Sequence, residues 1–168
     1  MKITYILLLS AVLIPNVLAS EQINDENWEQ HPTVKTIRAI YTEINNAQNA
    51  GKLKKQAQKC ELDDGNVVME GEIYSGSDSI VRKYVVDGGT GDSRARAEYY
   101  YSKKGIPRFT YRFRGAYNGT QVEERIYFDK NGTHLYTNRK EQGPGYTPSG
   151  LTDSVEDPQF DYANLCNE

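Results

Sequence analysis

Two hydrophobic periods divide this chain. Over "HPTVKTIRAIYTEINNAQNAG", Val34, Ile37, Ile40 or Tyr41, Ile44 and Ala47 recur at three- and four-residue steps, which puts them on one stripe of an amphipathic helix. Pro32 suits the first turn, where its missing N–H has no intrahelical partner to lose, and Gly51 suits the end. From Leu53 to about Lys140 the period shortens to runs rich in Tyr, Val, Ile and Phe, cut by Gly, Asn and Asp. The cuts are "DDGN" at 63–66, "SGSDS" at 75–79, "DGGTGDS" at 87–93, "KKG" at 103–105, "NG" at 118–119 and "KNG" at 130–132. Strands at such spacing, with no helical segment between them, predict an antiparallel meander of six or seven strands. The fold class expected is therefore α+β, with one helix laid across a curved sheet.

Two-residue alternation sorts the strand side chains by face. Ala95, Ala97, Tyr99 and Tyr101 share one side, and Arg94, Arg96, Glu98 and Tyr100 the other. On the next strand Phe109, Tyr111 and Phe113 alternate with Arg108, Arg112 and Arg114. Beyond it Val122, Glu124, Ile126 and Phe128 alternate with Glu123, Arg125 and Tyr127. The expectation is one apolar face against the helix, holding Tyr99 and Tyr101, and one outward lattice of Arg, Glu and Tyr.

The ends of the chain have their own patterns. "MKITYILLLSAVLIPNVLAS" combines Lys2, an apolar run from Ile6 to Ile14, and Pro15 before Val17, Leu18 and Ala19. That is the build of a secretory signal peptide over 1–19, with cleavage expected between Ala19 and Ser20. Its apolar core is too short for a transmembrane helix, which needs roughly 20 residues. A polar leader follows over 20–31, then the domain over 32–140. The final stretch, 141–168, is rich in turn-formers and lacks periodicity, which predicts an extended tail running along the sheet or helix.

Charge and cysteines narrow the function class. The formal net charge is −3, whereas affinity for nucleic acid or anionic membrane comes largely from excess basic charge and displaced counterions. No nucleic-acid partner is expected. The chain has two cysteines. In an exported protein, Cys60 and Cys166 are expected to form one disulfide, tying the tail to the region after the helix.

The run "EYYYSKKGIPRFTYRFRGAYNGTQVEERIYFDKNG", preceded by "TVKTIRAIYTEINNA", resembles small exported bacterial proteins, mostly uncharacterised. In these an N-terminal helix precedes strands of the form E-Y-Y, G-x-x-x-F and E-x-R-x-Y-F-x-x-N-G. The resemblance covers Thr33 to about Tyr136. It implies the helix-plus-sheet fold and an exported location, and it implies no activity.

Catalytic chemistry finds little purchase. His31 and His134 are the only histidines, and neither belongs to a nucleophile–base motif. No zinc ligand set is present. Asp63, Asp64, Asp87 and Asp92 sit in acidic turns, but these lack the twelve-residue calcium-loop spacing. "DGGTGDS" lacks the Lys and Ser/Thr of a phosphate loop. Asn118-Gly-Thr and Asn131-Gly-Thr read as hairpin turns rather than glycan acceptors. Glu98 and Glu123 fall on second-neighbour strands of the charged side, and an arginine from the strand between them, Arg112 or Arg114, should keep both ionised.

No catalytic residue, cofactor or metal is therefore assigned. The sequence points to a non-enzymatic exported domain that binds a protein or cell-envelope ligand, in one version a periplasmic inhibitor or immunity protein. Its contacts would be Arg96, Tyr100, Arg112, Arg114, Arg125 and Tyr127, oriented by Glu98 and Glu123. A cell-envelope hydrolase using the paired carboxylates and a purely structural envelope role are the alternatives.

Overall fold

The computed structural model describes residues 22–144 and 154–167. The signal-peptide segment 1–19, its cleavage point and residues 145–153 of the tail lie outside the described residues. Helix α1 spans Pro32–Asn49, with His31 as its N-cap: Nδ1 accepts from the Thr33 N–H at 3.2 Å. Gly51, at φ +65°, turns the chain out of the helix. The stripe forms as the spacing predicts, and Val34, Ile37 and Ile44 are buried.

Seven strands follow: β1 Lys54–Leu62, β2 Val67–Ser75, β3 Val81–Gly89, β4 Ser93–Tyr101, β5 Pro107–Ala116, β6 Gln121–Phe128 and β7 His134–Gln142. They form one sheet in sequence order, each antiparallel to the next. The expected disulfide joins Cys60 of β1 to Cys166. His134 is exposed on β7, and its Nε2 lies 2.8 Å from Thr137 Oγ1.

Three hairpin tips at one end of the sheet share a single design. In Gly76–Ile80, Ser102–Ile106 and Asp129–Thr133 the first N–H donates to the fifth carbonyl, at 3.0, 2.9 and 2.8 Å. The fourth position is left-handed in each: Ser79 at φ +63°, Gly105 at +76° and Gly132 at +87°. This is the three-residue hairpin loop that ends in a left-handed residue. Just beyond each tip the register slips, at Tyr74/Ser75, Tyr100/Tyr101 and Tyr127/Phe128. The hairpin is thus an internal repeat, with Tyr74, Tyr100 and Tyr127 in equivalent places.

The slips overturn the expected division of faces. Ser102 and Ile106 close their tip, and Tyr101 pairs with Pro107. Unbroken counting would then set Tyr100 opposite Arg108, but the bulge pairs it with Phe109. One extra residue exchanges the faces of everything after it on that strand. Phe109, Tyr111 and Phe113 therefore share a face with Tyr100, Glu98 and Arg96, while Arg112 and Arg114 share the other with Ala97 and Ala95.

Both faces carry a core. On one, Tyr100, Phe109, Tyr127 and Tyr136 pack beneath Trp28, Val34, Ile37 and Ile44. On the other, Ile73, Val81, Tyr84, Val86, Ala97, Tyr99 and Tyr101 pack with Val155 and Leu165 of the C-terminal segment. Tyr99 and Tyr101 are core residues, as expected, but they belong to the cluster with the C-terminal segment rather than to the helix-side core. That segment is not wholly extended either, since it contains α2, Pro158–Asn164, capped by Asp157. The sequence signal for α2 was present in "DPQF", a capping Asp followed by Pro at the first helical position.

Candidate functional site

The helix-side face is only half covered. Its tip end lies under α1, and its other end carries Asp87 of β3, Arg94, Arg96 and Glu98 of β4, Tyr111 and Phe113 of β5, and Glu123 and Arg125 of β6. Alternation on each strand and the cross-strand pairs Asp87–Arg96, Arg96–Phe113 and Phe113–Glu123 put these side chains on one surface.

The charges on this surface are set by one another. Asp87 receives Arg94 Nε at 3.0 Å and Nη2 at 2.7 Å, and Arg96 Nη1 at 3.0 Å. Arg96 also donates to Glu98 Oε1 from Nε at 3.1 Å and from Nη2 at 2.9 Å. The second oxygen of Glu98 takes Lys83 Nζ at 2.9 Å and the Tyr100 hydroxyl at 2.5 Å. Lys83 reaches on to Asn45 Oδ1 of α1 at 3.1 Å, so this cluster also fastens helix to sheet. Arg125 pairs with Glu123 and lies over the Tyr111 ring, 5.7 Å from its centroid. That distance is within cation–π range.

Burial alone would push the Glu98 carboxyl up, but hydrogen bonds from Tyr100, Lys83 and Arg96 outweigh it and hold the group below the usual carboxylate range. Asp87 is held low in the same way by Arg94 and Arg96. Both are fixed anions at neutral pH, and neither is suited to donate a proton.

The structure divides the eight residues of the sequence-predicted site, six contacts and two orienting acids. Arg96, Glu98, Glu123 and Arg125 lie together on the half-open surface, where Arg96 has 37% of its side chain exposed. Tyr100 and Tyr127 share that face but are buried beneath the helix segment, packed at tilted ring angles among Tyr41, Phe109 and Trp28, so they are core and not contacts. Arg112 and Arg114 sit on the opposite face. There they converge on the buried Glu124 at 2.9 and 3.0 Å, and Arg139 joins from β7 at 2.9 Å. Arg112 and Glu124 are buried, whereas Arg139 keeps 40% of its side chain exposed, so the cluster runs from the interior out to the edge strand β7. The arginine that steadies Glu98 is therefore Arg96, with Lys83, rather than Arg112 or Arg114.

Tyr111 and Phe113, half-buried on the surface, were assigned to the core by apolarity. Their cross-strand pairing with Glu98 and Arg96 places them here, and because that pairing depends on the register shift at Tyr100/Tyr101, alternation along the single strand carries no signal of it. Of the acidic turns, Asp87 is occupied by arginines and Asp92 accepts from Thr90 Oγ1 at 2.6 Å. Among the described residues no group of three His, Cys, Asp or Glu side chains could hold a metal ion. An apolar hollow of about 240 Å³ lies between α1 and the β4–β5 tip, lined by Ile40, Ile44, Ala47, Leu53 and Tyr101. Glu43 is its only acid, so paired-carboxylate chemistry has no place there.

No helix of the described residues is long and apolar enough to cross a membrane. No protein-family model matches this chain, and neither a curated protein nor a solved structure matches it.

Proposed function

We propose that this is an exported, non-enzymatic binding domain that holds a protein or cell-envelope ligand on the half-open end of its helix-side face. A periplasmic inhibitor or immunity-type protein is the concrete version. One observation carries the reading: Tyr111 and Phe113 lie half-exposed between Arg96 and Arg125, whose guanidinium groups are already positioned by Asp87, Glu98 and Glu123. Aromatic rings and arginines are the side chains most enriched at binding hot spots, and fixing them in advance lowers the entropy lost on association. The disulfide and the signal-like leader support export, and the resemblance to small exported bacterial proteins agrees with both. The hydrolase alternative is weakened because Glu98 is locked by three donors and Glu123 by Arg125.

The test is capture from periplasmic extract with the chain beginning at Ser20, compared with Arg96→Ala/Arg125→Ala and with Phe113→Ala. The variants are expected to lose the partner that the parent retains. Equal capture by all forms overturns the surface. N-terminal sequencing of the exported protein checks the leader, with Ser20 the expected first residue.

A further inference from the structure

The C-terminal segment 154–167 lies over the second face of the sheet as a narrow strap. Val155, Leu165 and the half-buried Tyr162 are its apolar anchors, set against Ile73, Tyr84, Val86, Tyr99 and Tyr101. Tyr101 donates its hydroxyl to the Val155 carbonyl at 3.0 Å, Gln58 donates to the Tyr162 carbonyl, and Gln159 to that of Ser79. The strap lies so close that a Cβ on Gly71 would stand 2.6 Å from Leu165 Cδ2. Its helix α2 has seven residues and buries none of them. Isolated helices below roughly 12 residues do not hold in water, so α2 depends on being pinned.

The pin is the Cys60–Cys166 bridge, and its two ends differ. Cys60 is 6% exposed beneath the strap, whereas Cys166 is exposed. The sheet does not need the bridge for its own closure, because all seven strands pair in sequence and the helix-side core contains no strap residue.

We propose that this disulfide is a redox latch: a dithiol reductant opens it, and the strap lifts from the tyrosine-lined face of β2–β4. One thiolate of the reductant attacks the exposed Cys166 sulfur, and Cys60 leaves as a thiolate and takes up a proton. The second thiolate of the reductant then displaces Cys166, which also takes up a proton. The bridge gains two electrons and two protons, and the dithiol is oxidised to a disulfide. The uncovered surface is apolar and contains the stacked Tyr84–Tyr99 pair, ring centroids 5.8 Å apart.

The full chain from Ser20 is compared with and without dithiothreitol. Far-UV circular dichroism reports the sheet, chymotryptic cleavage after Phe160 or Tyr162 reports the strap, and alkylation of Cys60 reports the covered face. Reduction is expected to leave the sheet signal and cooperative unfolding in place, and to speed strap cleavage on the order of tenfold or more. Cys60 should then alkylate as a native thiol, and reoxidation should restore protection. Cys166→Ser should behave as the reduced form without any reductant. Two results overturn the latch: unchanged strap protection after reduction, which would mean that the noncovalent anchors suffice, or loss of the sheet signal, which would make the bridge a staple of the whole domain.

Discussion

The two faces of the sheet are covered by devices of different kinds. One is covered over its tip end by an 18-residue helix whose buried stripe of Val34, Ile37 and Ile44 meets an aromatic floor of Tyr100, Phe109, Tyr127 and Tyr136. The other is closed, over β2–β4, by a strap whose helix has no buried residue and which a disulfide holds at its end. The helix is held by burial along its length, and the strap by a few anchors and a covalent tie. Local stability follows the number of buried contacts an element makes, so the helix side should open with the whole domain and the strap side before it.

Single substitutions can break this contrast, the largest on the helix side. Ile37 is fully buried, and Ile37→Ala should cost about 2–5 kcal/mol, seen as a lower urea midpoint for the entire transition. Gly71→Ala sets a methyl against Leu165 and the Tyr162 ring. Overpacking of this kind costs about 1–3 kcal/mol, and here hydrogen exchange should place the loss in 158–164 while α1 amides keep their protection. Equal loss in both elements would show that the two faces form one cooperative unit.

Alkaline pH acts on both faces together. Burial pushes the phenols of Tyr84 and Tyr101 on the strap side, and of Tyr100 and Tyr127 on the helix side, above their ordinary value. Tyr136, through burial and its hydrogen bond to Asp25, is pushed up to about 12. Below about pH 10 folded and unfolded chains are both protonated at these sites, and the stabilisation is complete. Above it the unfolded chain loses protons first, so stability should fall by about 1.4 kcal/mol per pH unit for each such tyrosine until the folded pKa is reached. Urea midpoints at rising pH measure the slope. Tyr84→Phe and Tyr127→Phe should each flatten it, which apportions the slope between the faces.

Acid separates the faces again. Asp87 and Glu98 have lowered folded pKa values, so their stabilisation is present above the ordinary carboxylate range and is lost as pH falls through those lowered values. Glu98→Gln should make the urea midpoint less sensitive to acid, with the change confined to the helix-side surface. The smallest effect is expected at Ser79, the left-handed position filled by glycine in the two equivalent tips. Ser79→Gly should raise the melting temperature slightly, since a non-glycine residue there costs about 1 kcal/mol and glycine's extra freedom in the unfolded chain takes part of it back.

The fold was more legible in the sequence than the site. The helix followed from spacing, since one turn repeats every 3.6 residues and Val34, Ile37 and Ile44 mark one side. The strands followed from turn residues chosen for their backbone geometry, such as Gly105, Gly119 and Gly132, which adopt the left-handed conformation the tips require. The disulfide followed from there being two cysteines in a chain with an export-like leader. The site was half legible. Arg96, Glu98, Glu123 and Arg125 remain together, but Arg112 and Arg114 moved to the far face and Tyr111 and Phe113 arrived from the assumed core. The reason is the bulge beside each tip, whose single extra residue reverses which alternating series share a face.

What the sequence determined by itself is what depends on neighbouring residues: where the helix runs, where the strands turn, and which alternating series lie on each strand. Tertiary structure alone decided how those series combine across strands, and which end of each face is covered. Those outcomes depend on cross-strand register and on which segment reaches which surface. A chain read one strand at a time contains both patterns of "EYYYSKKGIPRFTYRFRG", and only the paired sheet places Tyr100 under the helix and Tyr99 under the strap.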